Sequence, residues 1–150
     1  MNKKQLKERV IEPTLKQLGL YSSDAVELLL MIAAHESVKG EYIAQITGPA
    51  RGIYQMEGAT HNDIIKWLKA NKPVIYAQIS LLVTEVSTDM MMYDLRYATA
   101  MARVFFLRFP EALPSGSDVD AMAAYAKRRW NTSAGKATPA DYKNAYLSWK

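Results

Sequence analysis

Apolar residues recur with a helical period along most of this chain, and one stretch near the first third breaks the rhythm. Leu6, Val10, Leu15 and Leu18 are spaced for one face of a helix, with Lys and Glu between them. The spacing predicts an amphipathic helix over 2–18 that stops at Gly19, with Pro13 kinking or splitting it. Asp24 with Glu27 three residues on has the pattern of a capping box. The helix it would open, over 25–37, is apolar on most faces, and such a helix sits at the centre of its domain.

The rhythm fails over 38–57, where Gly40, Gly48, Pro49 and Gly52 predict an ordered loop or a short hairpin. Helical patterning then returns over 63–70, 74–86 and 88–108, the last with Met91, Leu95, Met101 and Phe105 on its apolar face. "FPEALPSGS" reads as a loop, 118–130 as a helix, and the C-terminal segment as a last helix capped by Thr138 with Pro139 at its first position. The predicted fold is mainly α: a helical bundle around a central apolar helix, with at most a small β-hairpin in 38–57. Residues 1–150 read as a single domain, with no internal repeat and no linker.

Composition narrows the chemistry. Hydrophobic residues make up 49% of the chain, enough for a core and too many for a disordered segment. Cysteine is absent, which excludes disulfides, thiolate-held zinc and a cysteine nucleophile. The net charge of +4 favours a polyanionic partner without choosing one. The cations are dispersed, and the one tight cluster after the N-terminus, "AKRRW" at 126–130, lies on a predicted helix where it offers a basic face rather than a nucleic-acid footprint. The most apolar run, 25–34, contains Glu27 and is too short to span a bilayer, so stable membrane insertion is not expected. The basic N-terminus is not followed by the apolar region of a signal peptide, so the expectation is a chain kept soluble in the cytoplasm of its producing cell unless something else exports it. His35 and His61 are too few for a metal site, and no phosphate-binding loop is present; neither metal nor cofactor is expected.

Glu36 is the candidate for chemistry. It closes the apolar helix after Met31, Ile32, Ala33 and Ala34. Desolvation there and the negative end of the helix dipole both disfavour a charged carboxylate, which is how a general acid stays protonated near neutral pH. The plain alternative is that Glu36 marks where the helix emerges into water.

The segments read together tilt the balance. "HES" at 35–37, "ARGIYQMEGAT" at 50–60 and "MAAYAKRRWNTSAGKATPADY" at 122–142 resemble the lytic transglycosylase and goose-type lysozyme superfamily, in particular small phage-encoded lysozyme-like endolysins. The resemblance spans 25–147. It implies a lysozyme-like α+β domain that cleaves the β-1,4 bond between N-acetylmuramic acid and N-acetylglucosamine in bacterial peptidoglycan. The chain would act as a monomer, released from the host cytoplasm through a holin or carried on a virion. By this resemblance Glu36 is the general acid, and Ser37, Gln55 and Tyr125 position the sugars or the acid. Tyr54 and Tyr42 offer stacking faces, and Gln45 lies in the intervening loop. Two departures stand out. Ala126 occupies the place of the family's Asn, for which Asn131 is a substitute at the helix end. Glu57 replaces an apolar residue; it orients a water for hydrolysis, pairs with Arg51, or caps a helix beginning near Ala59. The alternative function is a phage structural or wall-binding protein that keeps the fold without turnover.

Overall fold

The computed structural model describes residues 1–132 and 134–150. It is 62% helix and 3% strand, with eight helices and one two-stranded antiparallel sheet among the described residues. The mainly α architecture and its small hairpin are those the hydrophobic pattern predicts.

Helix α1 (residues 3–17) is α-helical over Lys3–Gln5 and Glu12–Gln17 and widened into a π turn over Leu6–Ile11. The widening sits just before Pro13, which has no amide hydrogen and whose ring would strike the carbonyl four residues back in an unbroken α-helix. Pro13 therefore reshapes the helix without splitting it, and Gly19, at φ +70°, ends it.

Helix α2 (Ser23–Glu36) is the centre of the molecule; every residue from Leu28 to Ala34 is buried. Its cap corrects the expectation. Ser22 is the N-cap, accepting from the amide of Ala25 at 3.0 Å. Asp24 instead accepts from the amide of Gly116 at 2.8 Å, and Glu27 pairs with Lys7 and receives the Tyr146 hydroxyl. Both acids are taken by tertiary partners that a local pattern does not reveal.

After α2 the chain reverses through Val38 and Lys39, both with positive φ. It then forms β1 (Ala50–Arg51) and β2 (Met56–Glu57), with Ala50 opposite Glu57 and Arg51 opposite Met56. Helices α3 (Gly58–Asn71) and α4 (Pro73–Ser80) follow, the second shorter than the 74–86 expected. The single helix expected over 88–108 is broken. Asp94 adopts an extended conformation between α5 (Met90–Tyr93) and α6 (Leu95–Phe105), and its carboxylate accepts from the amides of Arg96 and Tyr97. Helix α7 (Val119–Tyr125) runs on into a π turn over Ala126–Asn131. Helix α8 (Pro139–Ser148) opens with a full capping box, Thr138 with Asp141, and packs along α2. The buried apolar side chains of all these helices form one connected cluster around α2.

Candidate active site

Glu36 is the last residue of α2 and stands at the bottom of an open cleft of about 520 Å³. The hairpin contributes one wall, with Gln45, Gln55 and Glu57, and the first turn of α3 adds Thr60. Phe105 from the end of α6 and Trp130 and Asn131 from the π turn after α7 complete the lining. A second hollow of about 260 Å³ shares Glu36, Gln45 and Gln55 with the cleft and is bounded by Tyr42 and Ile46. Glu36 thus lines both recesses.

Burial raises the pKa of this carboxyl from 4.5 to about 7, partly offset by the Tyr142 hydroxyl. A carboxyl raised toward neutrality in this way suits a group that donates and recovers a proton. The Tyr142 hydroxyl is buried and makes no well-directed hydrogen bond, yet it is close enough to Glu36 and Asn131 for each to perturb its ionisation. Its own pKa is pushed up, first by burial and then by the neighbouring Glu36 charge. His35 packs tilted against the Tyr142 ring, centroids 4.4 Å apart, and burial lowers its pKa.

The expected site residues divide into those at the cleft and those beneath it. Gln45, Gln55, Glu57 and Asn131 line it with Glu36. Gln55 has φ +53° and donates to the carbonyl of Gly52 at 2.8 Å, which fixes its amide against the hairpin turn. Asn131 accepts from Lys127 Nζ at 2.7 Å. Ser37 is fully buried; its hydroxyl donates to Ala33 O and accepts from the amide of Gly40, so it ties off α2 and steadies Glu36 from below.

Two tyrosines fall elsewhere. Tyr54 is 1% exposed and shares a hydrogen bond of 2.8 Å with Thr99, so it is a core residue and not a stacking face. Tyr125 is buried against Phe106 and under Arg128, outside the cleft lining. Tyr142 occupies the place beside the acid that was expected of Tyr125. Tyr42, by contrast, is exposed and bounds the second hollow. Trp130 and Phe105, packed at 4.8 Å, supply the aromatic wall.

Glu57 is exposed in the cleft. Arg51 spends its guanidinium on the carbonyls of Gly48 and Ala50, and Glu57 precedes α3 without a side-chain cap. Among the described residues neither structural partner offered by the sequence engages it. The two cleft acids have opposite surroundings: Glu36 ends a helix and Glu57 precedes one, so backbone dipoles oppose charge at the first position and favour it at the second.

Backbone strain gathers at the same place. The four non-glycine residues with positive φ among those described are Val38, Lys39, Gln55 and Thr132. The first two follow Glu36 closely, and the last two line the cleft. Such conformations cost on the order of 1–3 kcal/mol each and persist where surrounding structure enforces them, characteristically at functional sites. The histidines take no part: His61 is buried in α3 with its ring nitrogens engaged by Asn62 and the Tyr97 hydroxyl. No group of three metal-ligating side chains converges among the described residues. No family model, curated protein or solved structure matches the chain.

Proposed function

We propose that this protein cleaves the β-1,4 glycosidic bond between N-acetylmuramic acid and N-acetylglucosamine in bacterial peptidoglycan, and that it does so by hydrolysis. The observation that carries the reading is the place of Glu36: a largely buried carboxyl, its pKa pushed up to about 7 by desolvation, lining an open cleft with polar and aromatic side chains. The Glu36 carboxyl donates its proton to the bridging oxygen as the bond from that oxygen to C1 of the muramyl unit breaks. A water molecule adds to C1 and gives its proton to Glu57, so one water is consumed for each bond broken. Gln45, Gln55 and Asn131 offer amides to sugar hydroxyl and acetamido groups, and Trp130 offers an apolar face to a pyranose ring. A carboxylate unclaimed by the fold favours hydrolysis over the transglycosylase route, in which the substrate's own acetamido group assists and no second acid is needed.

The test compares the protein with Glu36→Gln on purified peptidoglycan, with products weighed by mass spectrometry. The parent releases fragments with a free reducing end, and the variant releases none. Equal release by both proteins, or by neither, sinks the assignment of Glu36. Parent products lighter by one water keep Glu36 as the acid but make the enzyme a transglycosylase and remove Glu57 from the chemistry.

A further inference from the structure

A separate hollow of about 380 Å³ lies on the flank of α3, bounded by His61, Asn62, Lys66, Lys69, Tyr76 and Val86. It has no lining residue in common with the cleft, but the two are neighbours along α3: Thr60 lines the cleft, and the next two residues line the hollow. Its polar chemistry is one-sided. No acidic residue bounds it, and neither Lys66 nor Lys69 is in an ion pair among the described residues. The buried His61 at its base is satisfied by neutral partners, Nδ1 with Asn62 Oδ1 at 3.0 Å and Nε2 with the Tyr97 hydroxyl at 2.6 Å. An amide oxygen only accepts, so Nδ1 carries the hydrogen, Nε2 accepts from Tyr97, and Asn62 has its NH₂ left to donate. Lys69 rests over the Tyr76 ring at 5.1 Å, held at the rim.

The side chains thus provide two ammonium groups, a donor amide, and hydrocarbon from Tyr76 and Val86. A polyhydroxylated ligand such as a bare sugar needs acceptors as well as donors, and these groups supply few. A carboxylate on a short aliphatic segment needs only donors and apolar contact. We propose that this hollow is an exosite for an acidic peptide segment. On the reading of the cleft given above, that segment is the carboxylate-bearing peptide attached to the glycan strand, held on one side of α3 while the sugars lie on the other.

The probe is a synthetic N-acetyl-Ala-Glu-Ala amide, with N-acetyl-Ala-Gln-Ala amide as its uncharged counterpart, titrated into the protein and followed by backbone amide NMR. The acidic peptide shifts Asn62, Lys66 and Lys69 but not Gln55. The Lys66→Ala/Lys69→Ala double variant weakens binding about ten-fold, the loss of roughly one strong charge-assisted contact. Equal binding of the uncharged peptide, shifts confined to other surfaces, or tighter binding of inorganic phosphate at these lysines would each overturn the proposal. Turnover separates this claim from the previous one. The double variant slows cleavage of peptide-bearing peptidoglycan and leaves cleavage of peptide-stripped glycan strands unchanged. Equal slowing on both substrates counts against an exosite, whereas a parent protein inert on both defeats the glycosidase reading alone.

Discussion

Glu36 is held in its half-buried place at a cost to the fold. Between pH 4.5 and about 7 the folded chain keeps this proton while the unfolded chain has lost it. Raising the pH through that window therefore destabilises the native state, by roughly 3 kcal/mol once the window is crossed. Glu36→Gln removes the burden. The variant should melt higher than the parent at pH 8 and level with it at pH 4; an equal difference at both values would show that the carboxyl is not desolvated as described. Tyr142 acts on the same group from the opposite direction, since its hydroxyl lowers the Glu36 pKa. In the proposed reaction, Tyr142→Phe should shift the alkaline limb of the rate profile upward. Because that hydroxyl lacks a well-directed bond, its removal should cost little stability. A limb that stays in place or moves down would separate Tyr142 from the acid.

At the scale of elements, the hairpin delivers Gln55 and Glu57 to the cleft, and Gly52 is its tightest point. Gly52 has φ +81°, and a Cβ there would run into the carbonyl oxygen of Met91. Gly19 has a similar φ, +70°, with open space around it. Gly19→Ala should cost about 1 kcal/mol of backbone strain and leave activity intact, while Gly52→Ala adds a clash that displaces the hairpin. The measurement is melting temperature together with turnover; equal effects of the two substitutions would show that the Met91 contact does not position the site. The same comparison of local and distant causes explains what the sequence discloses. Glu36 is legible because its surroundings are local, an apolar helix end; Gln55 is singled out by the resemblance alone, since a glycine-rich turn does not by itself distinguish it. Asp94 is hidden because apolar residues on both sides of it face one core, so two helices mimic the period of one. Tyr142 and Trp130 are hidden for another reason. The first depends on how α8 lies against α2, and the second on a π turn that rotates the end of α7 into the cleft. Tyr54 misleads because its partner, Thr99, is 45 residues away.

Across the whole molecule the site joins parts of unequal firmness. Its floor is the end of α2, whose residues from Leu28 to Ala34 are buried on all sides, so their amides should exchange only when the protein unfolds globally. The Trp130 and Asn131 part of the wall stands on the π turn after α7. There Lys127 Nζ donates to Asn131 Oδ1 at 2.7 Å and to the carbonyl of Gly135 at 2.9 Å, clipping the loop that leads to α8 over Asn131. That clip is partly exposed and closes contacts local in sequence, so it can open without disturbing the core. Lys127→Met should therefore speed hydrogen exchange at Asn131 and Gly135 while leaving exchange in α2 unchanged. In the proposed reaction it should raise KM more than it lowers kcat, because the acid stays in place while the wall that receives the sugars loosens. Faster exchange throughout α2 would mean that wall and floor unfold as one unit. A pure loss of kcat would mean that Lys127 serves the acid and not the wall.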